Sequence, residues 1–451
     1  MFRNPSGDGD DDAAVDVAAA PLLAPRLRNV AGGRVLRPVA GLAIGAELVC
    51  LTVIVLTAAG GTRILVPASR HASPAWLHGP LPALHPGLSS AGIGALLVTM
   101  VLGYGVALAL ADRVPGRWPL AVAGSAIALC WLAPPLLSAD AFGYVAWGKL
   151  GAHGVNPYSH ASIAVGHDAV RPFLLWDHGT SPYGPLFSAM TFALAPLSVG
   201  VALWTLKTVA ALCALACVAL LWRAAAQLGR PQARAALAFA LNPLVLVYGV
   251  GGAHNDLLIG AVGLAGVVAF VSGRERSGAA AVVAAAAMKA SAVVALPFLV
   301  AGSRRWRRPA AAAVAAGAAA AVGGFALFGT PLLHLVDAVG AEQRDVAVHS
   351  VPAELARLAG SGTLPSWAHL LSGALLLAAV VELLYRVRRG ADWLTAAGWA
   401  YVAVLVTTAW LLPWYVAWAV PFAALSADRR LLGAVWALTL SIAVLRLPVF
   451  A

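Results

Sequence analysis

The residue with the clearest chemical potential is an aspartate at the edge of an apolar run. Asp140 follows Pro134-Pro135, which end the preceding run, and Ser138, which can cap the helix that starts here. A carboxylate at this position could act as a general base that accepts the proton of an attacking hydroxyl. The competing interpretation is structural, because aspartate is common in the first turn of a helix, where the dipole favours negative charge.

Four basic side chains are candidates for binding an anionic group. Lys289 stands inside the apolar segment 278–302, where a charged side chain facing hydrocarbon costs about 2.5 kcal/mol or more. It either serves a site or extends its ammonium to the membrane surface. The other three stand outside the apolar runs: Lys149, His254 and Arg344.

Polar and aromatic side chains near these residues are candidates for substrate contacts. Asn255 and Asp256 follow His254 directly after a glycine pair, and the trio is either a polar turn between helices or a binding site. The sequence Pro-Tyr-Gly-Pro at 182–185 forces a turn that presents Tyr183. The aromatic residues either contact a substrate or belong to an aromatic belt at the membrane interface. The candidate set is Tyr144, Tyr183, Asn255, Asp256, His349, Trp414 and Tyr415.

The composition indicates what kind of protein must position these residues. Of 451 residues, 11% are charged and 61% are hydrophobic, whereas soluble domains have about 25% charged and 45–50% apolar residues. This excludes a soluble enzyme, a disordered scaffold and a nucleic-acid-binding protein, despite the net charge of +11. The four cysteines stand in apolar runs and are predicted to be small buried residues rather than disulfides. The sequence therefore predicts a polytopic membrane protein.

The arginines predict the orientation of the chain in the membrane. They cluster in short connections near 113–117, 223–234, 274–276, 304–308, 386–389 and 429–430. With the N-terminus inside, all of these connections are cytoplasmic, as the positive-inside rule requires. Residues 1–37 are then a disordered cytoplasmic tail and residues 38–451 a single membrane domain of the cell membrane. Outer loops are predicted at about 60–90, 138–197 and 329–366, and the active site is expected on this outer face.

A helix that crosses the membrane once has its two ends on opposite sides. The segment 278–302 does not fit this rule, because basic connections, which are expected to be cytoplasmic, flank both of its ends. Two half-helices meeting near Lys289 would form a re-entrant hairpin, and one ordinary crossing is the alternative. The predicted fold is thus an all-α, polytopic transmembrane helical bundle of about 11–13 helices. It is expected to contain this hairpin and interfacial helices in the large outer loop.

Five strings of sequence carry a resemblance to a known family. They are SADAFGYVAWGKLGAHGVNPY from residue 138, SPYGPLF from 181, NPLVLVYGVGGAHND from 242, MKASAVVALPFL from 288 and PWYVAWAVPF from 413. In this order they resemble the polyprenol-phosphomannose-dependent α-1,6-mannosyltransferases of the GT-C superfamily of integral-membrane glycosyltransferases. The resemblance extends from about residue 38 to 426, and the first and third strings are the most specific.

The resemblance implies an enzyme and assigns roles to the candidates. Such enzymes transfer mannose from polyprenyl-phosphomannose to a mannan or lipomannan acceptor at the outer leaflet, with inversion to an α-1,6 linkage. Asp140 matches the acidic catalytic base of an early outer loop. The departing phosphate needs donors or a cation, for which the candidates are Lys289, Arg344, Lys149 and His254. The aromatic candidates could stack on sugar faces.

Metal dependence and two alternative functions stay open at this stage. No metal ligands are assigned, because Asp140 has no neighbouring acidic partner and the histidines lack helical metal spacing. A divalent cation held by Asp140 and a distant carboxylate is still possible chemically, and no other cofactor is expected. A GT-C transferase for another polyprenyl-phosphate sugar is one alternative, and a secondary transporter is the other. One outward-open cavity favours a transferase, whereas a central two-sided pathway favours a transporter.

Overall fold

The computed structural model describes the backbone of residues 24–67, 73–175, 177–344, 346–347, 350–361 and 363–445. The side chains of 24–35 and 342–344 lie outside the description, as does most of the predicted N-terminal tail. The described chain is helical, which confirms the all-α prediction. Its first eight α-helices are α1 Ala24–Ala59, α2 Ser90–Ala109, α3 Trp118–Leu132, α4 Asp140–Ala152, α5 Pro185–Thr191, α6 Val199–Gln227, α7 Gln232–Ala240 and α8 Asp256–Val271.

Nine further α-helices complete the described part of the chain. Short 3₁₀ segments, including Ala290–Ala295 and Pro413–Trp418, connect some of them. The nine are α9 Glu275–Ala286, α10 Leu296–Gly302, α11 Arg307–Phe328, α12 His334–Arg344, α13 Val351–Leu358, α14 Ser366–Arg388, α15 Trp393–Thr407, α16 Val420–Leu425 and α17 Arg429–Leu445.

Long apolar helices support the prediction of a membrane protein. Within the described residues, five helices are long and apolar enough to cross a bilayer of about 30 Å. They are Leu36–Ala59, Ser90–Ala109, Val199–Gln227, Arg307–Phe328 and Ser366–Arg388. Several other predicted runs form apolar helices of 10–17 residues instead. α1 begins at Ala24, earlier than the predicted boundary at 38.

The apolar run at 235–250 is bent because a proline interrupts it. α7 and the π-helix Val245–Gly251 meet at an angle of 63° around Asn242-Pro243. The Asn242 side-chain oxygen accepts the backbone N–H groups of Leu244 and Val245 at 3.1 and 3.2 Å, so Asn242 caps the helical segment that begins after the bend. The bend directs the end of the π-helix toward the turn that precedes α4.

The predicted hairpin is present as two helices that return to the same end of the bundle. α9 ends at Ala286 and α10 begins at Leu296, with Lys289 in the break between them. Gly278 near the start of α9 packs against Phe270, and Gly302 at the end of α10 packs against Trp393. The rings of Phe270 and Trp393 are 5.1 Å apart, so the two ends of the hairpin are close together.

The large predicted outer loop contains helices, as expected, but protein covers most of their surface. In α4, which opens this loop, the side chains of Phe142, Val145, Trp147 and Leu150 are all buried. The aromatic residues of α4 therefore pack inside the protein, and α4 is not an amphipathic helix lying on a membrane surface. The buried packing gives its first residue, Asp140, a fixed position relative to the rest of the bundle.

Candidate active site

A cavity of about 1150 Å³ brings together residues that are distant in the sequence. Its walls come from α4 and the outer-loop segment 177–183, the hairpin break at 289–291, the helices α12 and α14, and the segment 404–418. Five of the predicted site residues line it: Asp140, Tyr183, Lys289, Trp414 and Tyr415. The volume is slightly above the range of about 300–1,000 Å³ that is typical of small-molecule sites.

Asp140 is positioned by the start of α4 and by a neighbouring histidine. The Ser138 hydroxyl accepts the backbone N–H of Asp140 at 3.1 Å, whereas the carboxylate faces the cavity with 13% of its side-chain surface exposed. Oδ2 of Asp140 lies 3.6 Å from Nδ1 of His254. The carboxylate is therefore accessible to a ligand and close to a second titratable group.

His254 is a buried side chain held by an aromatic ring. It lies in the turn between the π-helix and α8, and its ring stacks on Trp414 with 3.7 Å between centroids. Neither ring nitrogen has a hydrogen-bond partner among the described residues. Burial, together with the nearby Lys289 ammonium, lowers the pKa of His254 well below its ordinary value. The imidazole is therefore neutral near pH 7, with one N–H available to donate.

Lys289 projects from the hairpin break into an aromatic enclosure. Its Nζ lies 4.9 Å from the ring centroid of Tyr415, 5.4 Å from that of Trp418 and 5.9 Å from that of Tyr183. The ammonium donates to both carboxylate oxygens of Asp256, at 2.9 and 3.0 Å. Two of its three N–H groups are thus used by Asp256, and the third is available toward the cavity.

Asp256 anchors this cluster rather than lining the cavity. Its side chain is buried, and Oδ1 also accepts the indole N–H of Trp418 at 2.7 Å. Asp256 therefore compensates the Lys289 charge inside the protein, as a buried cation requires. Asn255, the next residue toward His254, is buried, and its side-chain amide has no hydrogen-bond partner within the described structure.

Tyr144 lies behind the cavity wall between the acidic residues. Its ring packs edge-on against Tyr183 at 5.2 Å. Burial and the carboxylates of Asp140 and Asp256 raise the pKa of Tyr144 well above its ordinary value. Its hydroxyl is therefore protonated at neutral pH and can act only as a neutral group.

One predicted site residue pairs away from the cavity, and two others lie outside the description. Lys149 donates to Asp168 at 2.7 Å in the outer loop and does not line the cavity. The side chain of Arg344 and the whole of His349 lie outside the described residues. Of the four predicted phosphate-binding groups, the structure thus places Lys289 in the cavity wall and His254 directly behind it.

Several cavity residues were not predicted from the sequence. Trp418 was not among the candidates, yet it donates to Asp256 and lines the cavity. The polar residues Asp177, His178, His334, Asp337 and His369 also line it. The only sequence signal for these five was their position in predicted outer loops or at outer helix ends.

The protein supplies few metal-binding groups near Asp140. Among the described residues, no three His, Cys, Asp or Glu side chains come together as a possible metal site. One carboxylate and one imidazole could hold a divalent cation only together with water or with phosphate oxygens of a substrate.

Comparisons with known proteins identify relatives of this chain. The family model described as alpha-(1→6)-mannopyranosyltransferase, N-terminal domain, matches residues 41–305. Alpha-(1→6)-mannopyranosyltransferase A of Mycobacterium tuberculosis is 32% identical over 220 residues, which are 45% of this chain and 42% of that protein. Alpha-(1→6)-mannopyranosyltransferase B of Corynebacterium glutamicum is 26% identical over 182 residues, 38% of this chain and 28% of that protein.

These matches cover only part of each relative. The chain aligns with less than half the length of these curated relatives. The family match includes Asp140, His254, Asp256 and Lys289, and it ends before Trp414. No solved structure matches the chain.

Proposed function

Since the chain belongs to the alpha-(1→6)-mannopyranosyltransferase family, we propose that it transfers mannose to a mannan or lipomannan acceptor. The proposed donor is polyprenyl-phosphomannose, and the product is an α-1,6 linkage formed with inversion. The proposed site of transfer is the outer face of the cell membrane. The placement of the arginine-rich connections supports this orientation, since it leaves the cavity residues on the outer side.

The observation that carries the proposal is that one cavity contains both a carboxylate and a cation. Asp140 and Lys289 line the same cavity although they are far apart in the sequence. A glycosyl transfer from a lipid phosphate needs a base for the acceptor and a positive group for the leaving phosphate. The two side chains supply these two requirements.

The proposed reaction is a single displacement. As the acceptor hydroxyl oxygen forms a bond with the anomeric carbon of mannose, the Asp140 carboxylate takes the hydroxyl proton. The bond between the anomeric carbon and the phosphate oxygen breaks, and its electron pair leaves with the polyprenyl phosphate. The free N–H of Lys289 stabilises that oxygen, and charge-assisted hydrogen bonds of this type are the strongest in proteins.

His254 and the aromatic residues have supporting roles in this proposal. A neutral His254 beside Asp140 can donate a hydrogen bond to the carboxylate and keep it oriented without forming a competing ion pair. Tyr183 and Tyr415 present ring surface in the cavity, where a sugar face can stack. The alternative function is a secondary transporter, for which the transfer assay would give no product.

The test is a transfer assay with purified protein in lipid nanodiscs. Polyprenyl-phosphomannose and the corresponding glucose and arabinose donors are each offered with a short α-1,6-mannoside acceptor. We expect mannose transfer and α-1,6 product. Transfer of another sugar but not mannose would contradict the donor, and turnover of none of the three donors would contradict the proposed transferase activity.

The variant Asp140→Asn tests the catalytic base in the same assay. We expect it to fold and insert normally but to lose at least 1000-fold in kcat, about 4 kcal/mol, because an amide cannot accept the proton. Asp168→Asn is the matched control, since Asp168 belongs to the same outer loop but pairs with Lys149 away from the cavity. Normal turnover by Asp140→Asn would exclude Asp140 as the base.

A further inference from the structure

The turns that carry Asp140 and His254 each contain a residue with a left-handed backbone. Leu137 has a φ of 52° and Ala253 a φ of 56°, and both are non-glycine residues. Such a conformation costs about 1 kcal/mol or more and persists only where surrounding contacts hold it. Leu137 is three residues before Asp140, and Ala253 directly precedes His254. Both proposed active-site turns are therefore strained.

A buried lysine on α6 contacts the chain at both turns. Lys207 is fully buried, and its Nζ donates to the carbonyl oxygens of Cys130 at 3.0 Å, Gly251 at 2.9 Å and Pro134 at 3.5 Å. All three hydrogen-bond partners that the structure gives this ammonium are backbone carbonyls. The carbonyls of Cys130 and Pro134 belong to the end of α3, before Asp140. The carbonyl of Gly251 belongs to the end of the π-helix, before His254.

The sequence explains why these carbonyls need a donor. In a continuing helix, the carbonyl of Cys130 would accept the N–H of residue 134, but that residue is a proline without an N–H. Lys207 supplies the missing donor. The Gly251 carbonyl also accepts the backbone N–H of Leu136 at 3.0 Å, so the two turns are joined directly as well.

Close backbone approach leaves little freedom at this junction. A side-chain carbon at Gly251 would lie 2.7 Å from the Leu136 side chain, and one at Gly252 would lie 2.9 Å from the Leu136 carbonyl oxygen. Only glycine fits at these two positions without moving the turn. The lysine ammonium completes a junction in which the ends of α3 and the π-helix are fixed relative to each other.

We propose that Lys207 is a positioning residue, which holds the two strained turns so that Asp140 and His254 keep their 3.6 Å approach. This inference rests on the proposed function of Asp140 as the base. Lys207 touches neither carboxylate nor imidazole and does not line the cavity. Its effect is therefore expected on the rate of the chemical step and not on binding of the donor at Lys289.

The test compares Lys207→Met with a control on the same helix. Thr208→Val removes the hydrogen bond from the Trp131 indole to Thr208, 3.1 Å long, which also joins α3 and α6 but involves no backbone carbonyl of either turn. The kcat and the donor KM are measured in nanodiscs, and calorimetry with the same donor gives the number of binding sites per chain. For Lys207→Met we expect kcat per binding site to fall at least tenfold and KM to stay within about twofold, a tenfold change being about 1.4 kcal/mol. Thr208→Val should keep wild-type values.

Two outcomes would overturn the proposal. One is a wild-type kcat per binding site in Lys207→Met. The other is a loss of activity that merely follows a loss of binding sites, because this would show a general structural role. The comparison uses whichever donor of the sugar panel the wild-type protein turns over, so a failed prediction about mannose leaves this test intact.

A second variant keeps the test valid if Lys207→Met does not fold. Ala253→Gly removes the cost of the left-handed conformation at that residue, because glycine adopts positive φ readily. Adding it to Lys207→Met should recover folded protein. The double variant is then compared with Ala253→Gly alone, and we expect the same tenfold or greater fall in kcat per binding site. An equal kcat in the two proteins would contradict the positioning role.

Discussion

The ion pair between Lys289 and Asp256 links the proposed phosphate-binding group to a buried carboxylate. Asp256 is 1% exposed at its side chain, and Lys289 is 15% exposed. The Asp256 carboxylate accepts hydrogen bonds from the Lys289 ammonium and the Trp418 indole, and both groups compensate its buried negative charge. Removal of either member of such a buried pair is costly, because the other charge is left without compensation.

This dependence gives a prediction for three variants. Lys289→Met should lower the free energy of unfolding by about 3–5 kcal/mol, because Asp256 is left charged and buried. The double variant Lys289→Met, Asp256→Asn should recover most of that stability. Its donor KM should still be raised at least tenfold, since the cation for the phosphate is absent. Thermal unfolding and steady-state kinetics in nanodiscs measure the two effects.

Lys149→Met is the matched control for this experiment, because Lys149 forms a comparable ion pair with Asp168 outside the cavity. It should leave the donor KM unchanged. If the stable double variant bound the donor as well as the wild type, Lys289 would be only the structural partner of Asp256, and another group would bind the phosphate.

Among the elements, the hairpin of α9 and α10 determines where Lys289 lies. Lys289 lies in the break between the two helices, at the opposite end of the hairpin from Gly278 and Gly302. Backbone bonds fix this break against the outer loop, since the N–H of Gly184 donates to the Met288 carbonyl at 2.9 Å. The hairpin therefore joins Lys289 and the turn of Tyr183 in one wall of the cavity.

A re-entrant hairpin predicts that the arginines at its two ends, Arg276 and Arg305, lie on the same, cytoplasmic side of the membrane. Cysteines that replace Arg276 and Arg305, both exposed, should be protected in intact cells from a membrane-impermeant maleimide and should react after permeabilisation. A cysteine at the exposed position His160 in the outer loop should react in intact cells. The background is a variant without the four native cysteines. Labelling of only one of the two arginine positions in intact cells would show an ordinary crossing and contradict the re-entrant topology.

At the scale of the whole molecule, the cavity is bordered by a helix that the rest of the protein hardly covers. Only 6% of the apolar window of α14 is buried, and large side chains such as Leu370 and Leu377 are exposed. The same helix contributes His369, Ser372 and Gly373 to the cavity. An exposed apolar helix face beside a cavity that contains charged side chains is suited to a substrate that has a lipid tail and a polar head.

A bulky residue on α14 should therefore obstruct the cavity without disturbing the fold. A side-chain carbon at Gly373 would meet no atom within 4 Å, so Gly373→Trp is expected to fold normally. It should lower kcat/KM for the lipid donor at least tenfold by filling cavity space. Gly323→Trp on α11 is the control, because that position is equally open but does not line the cavity. Equal kcat/KM values for the two variants would contradict the assignment of this cavity as the substrate site.

Prediction from the sequence succeeded where the signal is local. Apolar runs predicted the helical membrane class, and the break at Lys289 was evident from a charge inside such a run. The position of Asp140 at the start of α4 followed from the Pro134-Pro135 stop before it. These features depend on a residue and its near neighbours, which is why they can be recognised without a structure.

Prediction failed where a role depends on distant partners. Lys207, like Lys289, is a charge inside an apolar run, but the sequence does not show what it contacts, because its partners Cys130 and Gly251 lie 77 and 44 residues away. Trp418 could not be distinguished from a membrane-interface residue, because its role depends on Asp256, 162 residues earlier. Lys149 was a reasonable candidate by charge, but its salt bridge with Asp168 holds it away from the cavity.

The sequence by itself determined that this chain is a helical membrane protein and which few polar residues could do chemistry, because hydrophobicity and charge act on each segment locally. Only the tertiary structure decided which of those residues share a cavity, which are neutralised by partners and which fix the backbone. The reason is physical: buried charges must be compensated by whichever groups packing brings near them. In this bundle, those groups come from helices far apart in the chain.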